Sequence, residues 1–152
     1  MGAVADGCMA EGGLVTGIIP DFLVTMEASR DELGRLDELV TTPDMHARKH
    51  AMFERADAFV ALPGGIGTLE ELIEVMTWAQ LGRHSKPIVI ADVDGFWAPL
   101  LTLLDHMRGE EFIHTGHKVQ PLVIDDVDAI VPTLTSAAVP DPEGEPEIIA
   151  RL

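Results

Sequence analysis

Two rhythms of apolar and polar positions run along this chain. Short apolar runs predict strands over residues 14–19, 36–41, 58–62, 87–91 and 121–124. Between them, apolar side chains recur at helical spacing, most plainly at Leu69, Leu72, Ile73, Met76 and Leu81. That spacing predicts a helix running on from Thr68. Further helices are expected over 1–10, stopped by Gly12-Gly13, and from Pro43-Asp44 to about Ala56, with Asp44 as N-cap. Two more are expected, from the Asp94-Gly95 turn through Met107 and over 126–136. Residues 22–35 read as an irregular polar connection.

Strands alternating with helices make an α/β fold, Rossmann-like and doubly wound, with a parallel sheet covered by helices on both faces. One nucleotide-binding domain is expected over residues 1–137. Residues 138–152, rich in proline and acid, read as a flexible tail. The chain opens on a helix where such a domain opens on a strand. The expectation is therefore that a first β-α-β portion is missing, through a shortened gene model or fragment.

Composition narrows the function classes. A net charge of −16, with 26 acidic residues against 10 Lys and Arg, opposes binding to nucleic acid or an acidic membrane surface. Against that background His46, Arg48, Lys49, His50 and Arg55 cluster. They read either as an anion-holding group or as a solvated helix face balanced by Asp44, Glu54 and Asp57. The single cysteine, Cys8, excludes an internal disulfide and suggests a reducing compartment, with Cys8 itself a packed thiol. Asp6 and Glu11 interrupt any early signal-like segment, and no apolar run approaches the ~20 residues of a membrane span. A cytoplasmic protein is expected.

The densest chemistry lies in PGGIGTLEE, Pro63 to Glu71, between an apolar strand and a helix start. Backbone N–H groups of such a loop converge at the positive end of a helix dipole, where phosphate binds. The plainer alternative is a tight turn using glycines for positive φ. Thr68 and Glu71 have the spacing of a capping box, which accounts for both on structural grounds alone. The competing reading sets the Glu71 carboxylate beside a bound sugar. Arg48 either pairs with Asp44 one turn earlier or makes bidentate contacts to a phosphate. His46 and His50 share the i,i+4 spacing of a zinc pair, yet Ala47 stands where a zincin needs Glu, and His114 and His117 lie in a polar loop. No metal site is expected. His84-Ser85-Lys86 is rejected as a pyridoxal-phosphate site because the chain is too short for the usual folds of such enzymes. No cofactor is expected.

Pro63, Gly64, Gly65, Gly67, Thr68 and Glu71 match a PGGxGTxxE pattern, and Met45, His46, Arg48 and Lys49 match MHxRK. On these motifs, with TWAQLG (77–82), Lys86-Pro87 and DGFWAPLL (94–101), the chain resembles the LONELY GUY family of cytokinin riboside 5′-monophosphate phosphoribohydrolases, long labelled "possible lysine decarboxylase". The resemblance implies hydrolysis of the N-glycosidic bond of a nucleoside 5′-monophosphate of the AMP or isopentenyladenosine monophosphate type. The products are an adenine-type base and ribose 5-phosphate. It implies that Arg48 and Glu71 are catalytic. It implies that Gly64, Gly65, Ile66, Gly67, Thr68, Leu69, Glu70 and Glu71 bind substrate together with Lys49, and that Glu27 contacts it. A homodimer is implied, with the 77–82 segment near its interface. A non-catalytic nucleotide-binding remnant is the alternative if part of the pocket is missing.

Overall fold

A computed structural model describes residues 2–24, 33–113 and 120–137. It divides the chain into two compact units, Met1–Ala56 and Asp57–Leu152. The expected tail, 138–152, and His114 and His117 lie outside the described residues.

In the first unit, α1 (Gly2–Ala10) ends before Gly12, whose φ of 76° reverses the chain. Strands β1 (Thr16–Pro20) and β2 (Glu38–Thr42) pair in parallel, Ile18 opposite Val40. Each is shifted toward the C-terminus relative to the sequence expectation. Asp37 explains part of that shift: its carboxylate accepts a hydrogen bond from Val15 N at 2.8 Å, so both strands begin after this clasp. A short 3₁₀ turn, Asp21–Leu23, opens the connection expected to be irregular. Helix α2 (Met45–Arg55) starts as expected on Asp44, whose Oδ1 accepts from Ala47 N at 2.7 Å. Cys8 corrects an expectation. It is exposed, because α1 buries no residue and offers its thiol no core to join.

The second unit holds three parallel strands in the order β3 (Phe59–Ala61), β4 (Ile88–Ala91), β5 (Leu122–Ile124). The central strand is buried at all four positions, which is why its sequence is continuously apolar rather than alternating. Its side chains divide by the period of two. Ile88 and Ile90 join Ala61, Leu72, Ala79 and Trp97 in one core, built with α3 (Ile66–Gln80) and α4 (Ala98–Gly109). Val89 and Ala91 pack on the opposite face against Ile130 and Leu134 of α5 (Val127–Ala137). Helices thus cover both faces of β4. Parallel strands alternating with helices give the α/β class that the sequence pattern predicts.

The run from α3 to β4 is tied by His84. Its Nε2 lies 2.9 Å from the Val75 carbonyl and its Nδ1 accepts from Lys86 N at 3.1 Å, which places the ring proton on Nε2. The ring also meets Phe59 edge-on, with centroids 5.8 Å apart. His84 is therefore part of the packing between α3 and β3. Among the described residues, no helix is long and apolar enough to cross a membrane.

Candidate functional site

Parallel strands send their C-terminal ends, and the loops that follow, to the same side of a sheet. In the second unit the loop after β3 is Leu62-Pro63-Gly64-Gly65, and α3 begins immediately at Ile66. Gly65 is the N-cap, with φ −91° and ψ −160°, and it makes no side-chain cap. The first backbone bond of the helix runs from Leu69 N to Gly65 O at 3.1 Å. The N–H groups of Ile66, Gly67 and Thr68 come before it and have no intrahelical acceptor, so they point out of the helix start.

This start overturns the capping-box reading. Thr68 lies inside the first turn and Glu71 in the second, so Thr68 is not the residue that caps α3. The helix begins earlier because Gly65 adopts the extended conformation of a cap without needing a side chain.

The turn reading fails as well. Among the described residues, glycines with positive φ are Gly12, Gly82 and Gly95; none belongs to this loop. Gly64 has a different reason to be glycine. A Cβ built there would lie 2.3 Å from Thr68 Oγ1 and 2.9 Å from Thr68 Cβ, so the threonine fills that space. Gly65 and Gly67 have neither reason: a Cβ at either would meet nothing within 4 Å. The space beside each is therefore open. The outward N–H groups and the dipole of a helix start of this kind favour negative charge, such as that of a phosphate.

The other residues predicted for the site divide between the units. In the second, Leu69 turns its side chain into the core and its N–H to Gly65, Glu70 is exposed, and Glu71 is half-buried. In the first, Arg48 and Lys49 are neighbours on α2, both half-buried. Arg48 Nε donates to the Ile18 carbonyl of β1 at 3.2 Å, which fixes the plane of the guanidinium. No sequence signal could mark that anchor, because the acceptor is main chain. Glu27 lies outside the described residues. Among the described residues, no group of three His, Cys, Asp or Glu side chains is placed to hold a metal ion.

The pattern predicts a turn at Asp94-Gly95 in the loop after β4, which opens the DGFWAPLL motif. Asp92 Oδ1 accepts from Trp97 N at 2.6 Å, while Asp94 (φ 53°) and Gly95 (φ 71°) take left-handed conformations. Trp97 is thereby buried and Phe96 turned outward, the two rings edge to face with centroids 4.9 Å apart.

The charged pair on the edge of the first unit is separate from these groups. Arg55 forks onto Glu38 at 2.5 and 3.1 Å, and Thr16 Oγ1 donates to the same carboxylate at 3.2 Å. The hydrogen bond from Arg55 holds the Glu38 carboxyl below its ordinary value, against the opposing effect of desolvation.

Comparison with known proteins adds a lineage to this geometry. Residues 1–134 match the family model described as "Possible lysine decarboxylase". A cytokinin riboside 5′-monophosphate phosphoribohydrolase of Rhodococcoides fascians is 39% identical over 137 residues, which cover 90% of this chain and 68% of that one. LOG7 of Arabidopsis thaliana, of the same name, is 48% identical over 113 residues, 74% of this chain and 51% of its own length. A probable cytokinin riboside 5′-monophosphate phosphoribohydrolase of rice, LOG4, is 42% identical over 91% of this chain and 59% of its own. The chain thus spans between about half and two thirds of the length of these curated relatives.

Proposed function

The chain belongs to the LONELY GUY family of cytokinin riboside 5′-monophosphate phosphoribohydrolases, and from that premise we propose that it hydrolyses the N-glycosidic bond of a nucleoside 5′-monophosphate. The observation that supports the reading is a helix start capped by Gly65, with open space beside Gly65 and Gly67 and no intrahelical acceptor for the N–H groups of Ile66, Gly67 and Thr68. The 5′-phosphate binds those amides, far from the bond that breaks, and its binding energy orients the ribose. Water adds to the anomeric carbon as the bond to the base nitrogen breaks. The water's proton leaves to a base, and the departing nitrogen is protonated. Glu71, in the second turn of the helix that carries the phosphate, stabilises positive charge growing on the sugar or takes that proton. Arg48, its guanidinium plane fixed by Ile18, contributes bidentate contacts to the nucleotide. Lys49 and Glu27 complete the substrate contacts in this reading. The products are an adenine-type base and ribose 5-phosphate.

The same reading makes residues 1–137 one doubly wound, Rossmann-like domain, acting in the cytoplasm as a homodimer. Apolar side chains left exposed on α3, on α4 and just beyond it support the dimer: Ile73, Leu103 and Phe112. They accompany a groove of about 400 Å³ lined by Met76, Thr77, Gln80, Leu101 and Leu104.

Incubation of the whole chain with AMP and with isopentenyladenosine monophosphate, followed by chromatography of free base, tests the activity. Base release from either nucleotide is expected. Nucleotide binding without release would instead support a non-catalytic nucleotide-binding protein.

A further inference from the structure

The loops after β3 and β4 leave the same end of two adjacent strands, paired Ala61 to Ile90. The first carries the bare amides of α3. The second carries Phe96, whose position is over-determined from behind. The Asp92 carboxylate holds Trp97 N, Trp97 is 5% exposed in the core, and Phe96 stands edge to face against it. Two consecutive left-handed residues, Asp94 and Gly95, set this direction, an arrangement that is costly at the non-glycine position. The result is a fixed aromatic ring with 50% of its surface in solvent. The core uses Trp97; it leaves the outer surface of Phe96 unused.

Adjacent strands lie ~4.8 Å apart, so both loops leave the sheet side by side at the same edge of the strand ends. A planar, apolar-faced base stacks on an aromatic ring without needing a specific hydrogen-bond pattern. We propose that Phe96 is a base-contacting residue, stacking the base of a nucleoside monophosphate whose phosphate sits on the α3 amides. Ile66, 85% exposed between Gly65 and Gly67, supplies a stiff β-branched wall along the sugar. The proposal rests on the phosphate site described above and adds the group that recognises the other end of the ligand.

Titration calorimetry of the whole chain with two probes separates the parts: AMP, which has a base, and ribose 5-phosphate, which has none. Phe96→Ala is expected to weaken AMP about tenfold and leave ribose 5-phosphate within twofold of wild type. Phe96→Leu, which keeps an apolar contact to Trp97, should show the same selective loss, and Phe96→Trp should restore AMP binding. Equal weakening of both probes in the leucine variant would mean a structural role and overturn the proposal, as would unchanged AMP affinity in both variants. A wild-type chain that binds AMP without releasing base contradicts the proposed activity while still deciding the role of Phe96. A wild-type chain that binds neither probe ends both.

Discussion

Thr68 occupies the space over Gly64: its Oγ1 lies 2.3 Å from where a Cβ on that glycine would stand, and its Cβ 2.9 Å. The strand-to-helix connection is closed by this contact, whereas one residue later the space is empty. Gly64→Ala should therefore overpack the turn and cost about 1–3 kcal/mol, visible as a drop in Tm. Gly65→Ala meets nothing and should leave Tm within a degree or two, yet weaken AMP binding because its methyl group occupies the phosphate's approach. Thermal melts and AMP titrations of both variants check the contrast. A stable Gly64→Ala protein that binds AMP normally would refute it.

Glu71 lies in the second turn of α3 and not in a capping box. Loss of its charge should accordingly act on turnover rather than through the cap of α3. Glu71→Gln is expected to lower kcat by 10²–10⁴, the range of general acid–base contributions, with AMP affinity kept within severalfold. Single-turnover base release with a parallel binding curve gives both quantities.

At Arg48 the expected outcome turns on Nε. Lysine keeps the charge but has no counterpart to the nitrogen that donates to the Ile18 carbonyl, nor a planar fork. Arg48→Lys should therefore resemble Arg48→Ala in nucleotide affinity, each at least tenfold weaker than wild type. If lysine restores wild-type binding, charge alone is what matters there and the anchored plane is irrelevant.

Glu38 gives the first unit a pH dependence with a definite sign. The hydrogen bond from Arg55 lowers the folded-state pKa, so the carboxylate's contribution to stability is complete above the ordinary carboxylate value of 4.5. It is lost progressively as pH falls through the depressed folded value. Tm measured from pH 7 down to 3 should fall more steeply for wild type than for Glu38→Gln, and the two curves should converge at the acid end. Arg55, raised by the same hydrogen bond, stays charged throughout that range and adds nothing to the slope.

Much of this architecture was legible because buried parallel strands and capped helices leave strong local signatures. The continuous run at β4 and the side chain of Asp44 are two such signatures. The start of α3 was not legible. Gly-Ile-Gly reads as loop by propensity, and only coordinates show that Gly65 caps the helix with backbone alone. Small residues around Cys8 suggest a packed thiol, whereas α1 buries none of them. The bond from Arg48 to Ile18 and the clasp of His84 on Val75 both end on main-chain carbonyls, which carry no residue identity for a pattern to find. Glu27 could be placed only by resemblance to the family motif, and it lies outside the described residues.

Because β4 is enclosed from above and below, with every side chain at 1% exposure or less, it behaves as a beam that cannot flex without opening the core. Its end supports the Phe96 loop, and its paired neighbour supports the glycine amides. Those two loops accordingly share one rigid gauge. A ligand that touched both, as proposed, would be measured against that spacing, so molecules too short or too long would fail on fit as well as on charge.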